Sequence, residues 1–535
     1  MNSLDTIHAE LAGISTFPGV ASEVFGRDHP TEPGLRVAWA QSVDAPQVCD
    51  DCLDRKVALL FDSPHARRST IRPEELDGIV SQSASRGIGL AVTNIDVAQS
   101  WSLLAPWPDC RRCEPAITHL VAPAPTANAG DDDGAVSGNG LPRRGTARDF
   151  ASRHRGLFGF ASVMLNPSFD DAGGLYTVDT GIFLGTPTAY APVGGKGDTI
   201  DQALASCVGE GIERYYIATR ARPSRTEPIR SFADASWRDA KDFTGATIPV
   251  DPEALIEVRT LEPLDGLEPM TLPESLVRAP YTPPSAGVVV PTASSTTGAA
   301  AGGTIGEATL QGIFELLERD AFWFAARTGL PLVSVDPNPV SELLASVRRL
   351  HDVDVVLRWI PNPLSLPIAH CVLAGRKANP MAARGMGVSP SPAHALRKSI
   401  LEAIQMWRSL ATGVDVDPSE TDMRSLWWSG RARERFPAFF GDTESAREIS
   451  HWGSDLGPVA AEETLDALVD HAACCGLRFA RAVLADEPGH SVVRCASDRI
   501  LPLDDLYFPF LHRFDEWERV SGHEAIVDYR GPLFM

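Results

Sequence analysis

The chain has 535 residues, is 44% hydrophobic and carries a net charge of -22. That length holds two or more domains with ordinary packed cores, and the charge argues against nucleic acid or an anionic membrane as partner, since both demand clustered cations. No run long and apolar enough to span a bilayer occurs, and Met1 to Glu10 lacks the basic and apolar regions of a secretory signal, so a cytoplasmic protein is expected.

Residues 1–121 mix apolar runs such as Val57 to Phe61 and Gly89 to Val92 with helical stretches, and are read as a small α/β module. It holds two C-x-x-C pairs, Cys49 with Cys52 and Cys110 with Cys113. Four thiolates suit a structural zinc ion; a redox-active pair is the alternative, disfavoured because the pairs are doubled and no thioredoxin pattern surrounds them. Cys207, Cys371, Cys474, Cys475 and Cys495 lie in mostly apolar contexts and are read as small buried hydrophobes. Residues 122–148 turn to Pro, Ala, Gly, Asn and Asp, including Gly130-Asp131-Asp132-Asp133-Gly134. Such a stretch cannot bury enough apolar surface to offset its ordering entropy, so a flexible linker is expected. Residues 149–535 alternate strand-like runs (Leu157 to Met164, Gly287 to Val290, Val353 to Trp359, Ile368 to Leu373) with three helices. That interleaving fits one large α/β or α+β domain.

The three helices repeat one polar pattern: Ser206, Glu210, Glu213; Gln311, Glu315, Glu318; Lys398, Glu402, Gln405. Spacing i, i+4, i+7 puts each triad on one side of its helix. Seven residues before each stands Thr199, Thr304 or Ser391, with Ala203, Ala308 or Ala395 four residues further on. A hydroxyl there is an N-cap; Gln202 and Glu307 complete capping boxes, and Pro392 takes the N1 position. For the first helix a solvated face explains the stripe as well. The second is apolar around most of its girth, and carboxylates on a buried strip need cations. Oxygen ligands in this number suit Mg²⁺, which typically comes with substrate phosphates, and so acidic a chain expects phosphate to arrive with its own metal. Small-residue loops precede the helices: Gly194-Gly195-Lys196-Gly197, Gly298 to Gly303, and Gly385-Met386-Gly387. They allow close backbone approach to an anion, with Lys196, Arg319 and Lys398 as cations, although none matches a P-loop, kinase or Rossmann motif. Glu307 is explained by its cap alone.

Together, Gly195-Lys196-Gly197, Ser206-x-x-x-Glu210-x-x-Glu213-Arg214, Gly302 to Asp320 and Glu402-x-x-Gln405 resemble the YcaO family over about residues 150–535. The resemblance implies an ATP- and Mg²⁺-dependent enzyme that phosphorylates a peptide carbonyl oxygen. Lys196, Ser206, Arg319, Lys398 and Gln405 would then contact nucleotide, while Glu210, Glu213, Glu307, Glu315, Glu318 and Glu402 would hold or surround Mg²⁺. The paired C-x-x-C segments ahead of such a domain are similar to the cyclodehydratases of thiazole/oxazole-modified microcin biosynthesis, in which a ThiF-like zinc-bearing region precedes YcaO. Those enzymes turn Cys, Ser or Thr of a ribosomal precursor peptide into thiazoline or oxazoline. By that resemblance a separate leader-binding partner, a flavin-dependent azoline dehydrogenase and a homodimer are expected. A YcaO enzyme forming thioamide or amidine, and a catalytically silent peptide scaffold, are the alternatives. The chain departs from the family at Thr297 and Gly303, where asparagines are common, at Lys398, where arginine is frequent, and in a tail, Tyr529 to Met535, with the single Pro532.

Overall fold

The structure, a computed structural model, describes residues 145–159, 162–171, 175–184, 190–219, 225–232, 251–283, 287–291, 294–328, 332–376, 380–411, 423–440 and 461–500. It also describes the short strands at 22–28, 36–42, 90–95, 98–103, 241–242 and 507–508, and scattered residues near the four paired cysteines. The expected strand at Val57 to Phe61, most of the expected linker, Met1 to Glu10 and the tail from Tyr529 lie outside the described residues.

Strands β1 (Ser22–Asp28), β2 (Arg36–Ser42), β3 (Leu90–Ile95) and β4 (Ala98–Leu103) form an antiparallel sheet in that order. Helix α1 (Ala147–Arg153) leads to the antiparallel β5 (Ser168–Asp171), β6 (Tyr176–Phe183) and β7 (Tyr190–Gly197), then to α2 (Ile200–Ala218). There follow β8 (Arg225–Pro228), β9 (Lys241–Asp242), β10 (Leu255–Pro263), β11 (Met270–Pro273), β12 (Ala299–Gly302) and α3 (Ile305–Thr328). Next come β13 (Val333–Ser334), α4 (Ser341–His351), β14 (Val353–Trp359), β15 (Ile368–Gly375), β16 (Ala382–Val388) and α5 (Pro392–Ala411). Short helices α6 (Met423–Ser429) and α7 (Ala432–Arg435) precede α8 (Ala461–Cys474), β17 (Phe479–Glu487), β18 (His490–Ser497) and β19 (Tyr507–Phe508). β13 to β16 make a second four-stranded sheet, and β11-β10-β17-β18-β12, with β8 on β10, make the largest. Every strand pair described is antiparallel. Of the two architectures open from sequence, this is α+β.

The sequence repeat is a folding unit used three times, a strand running straight into a helix that packs back on it: β7 with α2, β12 with α3, β16 with α5. The fit leaves no room for a side chain at the glycines that face the helix. A Cβ at Gly197 would stand 2.7 Å from the Ala203 nitrogen, one at Gly302 2.6 Å from that of Ala308, and one at Gly387 2.7 Å from that of Ser399. Ala203, Ala308 and Ala395 are buried at these contacts, and each donates its N–H to the carbonyl of Thr199, Thr304 or Ser391 at 3.0 Å. Thr199 and Thr304 cap their helices by accepting the N–H of Gln202 and Glu307. The reciprocal bond differs from the expected box: the side chains of Gln202 and Glu307 accept from Asp198 and Gly303, one residue before the cap. With the strand laid against the helix, that N–H faces inward.

Two further expectations are corrected. Among the described residues of Leu157 to Met164 there stand, in place of a strand, the end of a 3₁₀ turn and isolated bridges of Met164 to Phe158 and Ile182, because Gly159 turns the chain at a φ of 125°. At Gly287 to Val290 there is a single bridge from Val288 to Leu255, with Val289 and Val290 exposed. These apolar runs plug or border the core without joining a ladder.

The largest sheet separates two cores. Along β18, Val493 and Cys495 join the core built on α3, α5 and β14 to β16, while Val492 and Ala496 join the one built on α2, the period-two alternation of a strand covered on both faces. Ala105, Ile117, Leu120 and Val121, assigned by sequence to the amino-terminal module, belong to the α2 core.

Candidate functional site

Carboxylates from all three triads meet at one locus. On α2, Glu210 accepts the N–H of Gly194 at 3.0 Å and an Arg214 N–H at 3.2 Å, and Glu213 pairs with Arg214 at 3.8 Å. Burial pushes the Glu213 carboxyl well above its ordinary range; Arg214 opposes this, and the nearby Glu315 and Glu210 add to it. On α3, Glu315 accepts the N–H of Gly298 at 3.2 Å and stands 3.7 Å from Arg319. Between Glu307 and Ala325 that helix is buried except at Gln311, Glu315, Arg319 and Asp320.

Glu318 is only 3% exposed, and its Oε2 carries no hydrogen bond, with Lys398 at 3.6 Å. Burial raises its pKa, Lys398 opposes and Glu402 adds. Glu402 on α5 pairs with Lys196 on β7 at 3.0 Å. Burial alone would raise this carboxyl, but Lys196, Arg319 and Lys398 outweigh it and hold it down to about 2. Gln405 sets its Nε2 against Gly194. Ser206 is exposed one turn before Glu210, and Glu307 folds back onto the Gly303 N–H at 2.9 Å.

Thus Glu210, Glu213, Glu315, Glu318 and Glu402 converge with Lys196, Arg214, Arg319 and Lys398 into alternating charge. Each carboxylate has a cation at salt-bridge or near-contact distance, so none is buried bare. A Mg²⁺–polyphosphate complex carries the same two charges, and the pairs can exchange with it: phosphate oxygens take the ammonium and guanidinium groups, and the metal takes the carboxylates. The orphaned Glu318 oxygen and the raised pKa values of Glu213 and Glu318 mark carboxylates under-served by the protein's own cations. The donor set fits a hard divalent ion.

A second cluster lies beneath α2. The sulfurs of Cys49, Cys52, Cys110 and Cys113 all lie within 4.8 Å of one another, with Cys49 to Cys110 at 3.5 Å and Cys52 to Cys113 at 3.9 Å. A tetrahedral zinc with bonds of about 2.3 Å sets its sulfurs about 3.8 Å apart, so the cage fits. Within this set of close thiols the contact with Cys52 holds Cys113 down to about 5, while that same contact and burial push Cys52 up and burial pushes Cys49 up to about 11. Cys207, Cys371 and Cys495 are buried, Cys475 is partly buried and Cys474 is exposed, against the expectation for this last one: it ends α8, where the helix face turns outward.

Four participants carry no role in the sequence reading. Arg214 is the repeat equivalent of Arg319, and that register was available to find it. Asp198, paired with Arg397, ties β7 to α5 beside Lys196. Asp179 lies in register with Gly194, and its Oδ1, like the Gln405 amide, borders the space where a Cβ at Gly194 would stand. Arg494, fully buried on β18, donates to the Leu276 carbonyl at 2.9 Å and acts on Glu213; nothing in Val492-Val493-Arg494 distinguishes it.

Residues 194–497 match the family model described as YcaO cyclodehydratase, ATP- and Mg²⁺-binding. An uncharacterized protein from Methanothermobacter thermautotrophicus is 34% identical over 153 residues, 28% of this chain; the chain spans 38% of that relative's length. Among solved structures, a heterocyclase in complex with substrate and cofactor superposes with a TM-score of 0.69 at 18% identity, covering 98% of this chain and 79% of the other. The heterocyclase TruD gives 0.59 at 14%, covering 99% and 78%. YcaO from Methanopyrus kandleri bound with AMPPCP and Mg²⁺ gives 0.52 at 22%, covering 70% and 94%. At these identities the likeness is one of fold.

Proposed function

The chain belongs to the YcaO family, and from that premise we propose that it is an ATP- and Mg²⁺-dependent peptide cyclodehydratase acting on a ribosomal precursor peptide. The observation that carries this reading is the interleaving of Lys196, Arg319 and Lys398 with Glu315, Glu318 and Glu402, a charge pattern complementary to a metal–triphosphate. Lys196, Ser206, Arg319, Lys398 and Gln405 would bind nucleotide; Glu210, Glu213, Glu315, Glu318 and Glu402 would hold Mg²⁺, with Glu307 ordering the Gly303 loop beside them. Bound Mg²⁺ would neutralise charge on the transferring phosphoryl group. A Cys, Ser or Thr side chain adds to the preceding amide carbonyl and loses its proton. The resulting oxyanion attacks the γ-phosphorus and expels ADP; the amide proton and inorganic phosphate then leave as the C=N bond of the azoline forms. The protein's work is positioning and charge neutralisation, the main needs of phosphoryl transfer. Cys49, Cys52, Cys110 and Cys113 are proposed to hold structural Zn²⁺. A separate leader-binding protein would deliver the peptide, a flavin dehydrogenase would oxidise the azoline, and the enzyme would work as a cytoplasmic homodimer. Among the described residues no helix is long and apolar enough to cross a membrane.

The test is incubation of purified protein with its precursor peptide, leader-binding partner, ATP and Mg²⁺. Phosphate release with a loss of about 18 Da per ring is expected, the water removed when transferred phosphate departs. Phosphate release with sulfur or nitrogen incorporated would favour thioamide or amidine formation; no nucleotide binding at all would favour a scaffold.

A further inference from the structure

A Zn²⁺ ion held by four thiolates carries a net charge of about -2 by the oxidation states of its parts. Much of this cage is removed from water: Cys52 is 1% exposed, and Trp107, whose backbone N–H donates to the Cys52 sulfur at 3.2 Å, is 1% exposed. Burying such an anion costs several kcal/mol, by the order of magnitude for ions in proteins, unless a counter-charge accompanies it. Lys56, four residues beyond Cys52, is 1% exposed; burial pulls its ammonium down to about 7, and the Cys52 and Cys113 sulfurs oppose that, the direction a loaded, more negative cage would strengthen. Its Nζ donates to the Ser162 carbonyl at 2.6 Å, in the segment between α1 and β5. A second tie runs parallel: the Tyr215 hydroxyl, on α2 two residues past Glu213, donates to the Pro106 carbonyl at 3.3 Å beside Trp107.

We propose that Lys56 is a positioning residue: it supplies the buried positive charge that compensates the zinc–tetrathiolate and, through Ser162, fastens the loaded cage to the core beneath α2. The proposal rests on the zinc reading above and adds a residue that no metal-ligand spacing would select. Metal loading and order of the carboxylate-bearing helix are thereby coupled through about half a helical turn, Glu213 to Tyr215.

Full-length wild type, Lys56→Met and Lys56→Arg are compared for zinc content and for the rate of zinc transfer to a chromogenic chelator. The Met variant should release zinc about tenfold to a hundredfold faster, the usual cost of losing an outer-shell partner, while Arg retains most of the wild-type hold. Hydrogen exchange of Ile200–Ala218 should quicken in Met and little in Arg. A residue serving only as packing predicts the reverse, since Met fills the site without a buried charge. Should Met not be recovered folded, as judged by ATP-analogue binding, Lys56→Gln provides the same comparison. Wild-type release rates in the neutral variants, or equal damage from Arg, overturn the role of Lys56 while leaving zinc in place. Wild-type protein without zinc overturns both readings.

Discussion

The oxygen-donor site on the triads and the sulfur-donor site beneath α2 meet the same problem, concentrated negative charge in the interior, in opposite ways. The glutamates come from three helices spread between residues 210 and 402 and are interleaved with side-chain cations. The thiols come from two local pairs, and their sulfurs stand against one another and against backbone N–H groups. A site that exchanges its ligand every cycle needs internal partners to fall back on, because bare buried carboxylates would unfold it. A site meant to keep its metal needs its thiolates left to that metal, with a single compensating cation as proposed for Lys56, and folding supplies the binding free energy.

Breaking the carboxylate side should have the largest effect. Glu315→Ala or Glu318→Ala should lower ATP turnover by about a thousandfold or more, the scale of losing a group that stabilises transferred charge, with an unchanged circular dichroism spectrum. Wild-type turnover would end the shared-site model. On the sulfur side, Cys52→Ser should leave less than half the wild-type zinc by metal analysis and lower the melting temperature by roughly 10 °C, as expected for a few kcal/mol in a domain of this size. Turnover in that variant should fall only as far as α2 loosens.

The repeated strand–helix contact sits below both. Gly197→Ala drives a Cβ to 2.7 Å from the Ala203 nitrogen and should cost about 1 to 3 kcal/mol, the range for overpacking, read by urea unfolding. The smallest effect is a proton count. The Glu213 and Glu318 carboxyls are raised chiefly by burial, so Mg²⁺ must displace protons from them; its affinity should rise with pH, and calorimetry in buffers of different ionisation enthalpy should detect the release. Glu402 has the opposite sign. Held down to about 2, it contributes stability that is present above its unfolded value of about 4.3 and is lost as pH falls toward 2.

What the sequence determined by itself is whatever is written in local spacing. The i, i+4, i+7 triads, the hydroxyl caps at Thr199 and Thr304, Pro392 at N1, and the paired C-x-x-C segments all follow from helix geometry or ligand reach within a few residues. Val353–Trp359 and Ile368–Gly375 were legible as strands because their runs carry ladder partners along their whole length; Leu157 to Met164 was not, since apolarity marks burial and not pairing. Tertiary structure alone decided how the triads face one another and which ion partners each acquires. It alone brought Arg494 within electrostatic reach of Glu213, 281 residues earlier in the chain, and Lys56 into a hydrogen bond with Ser162, 106 residues later. It also decided that Ala105, Ile117, Leu120 and Val121 join the core under α2. Spacing encodes neighbours along a helix; charge compensation in an interior is set by whatever the fold packs beside it, and one buried cation in an apolar strand leaves no periodic trace.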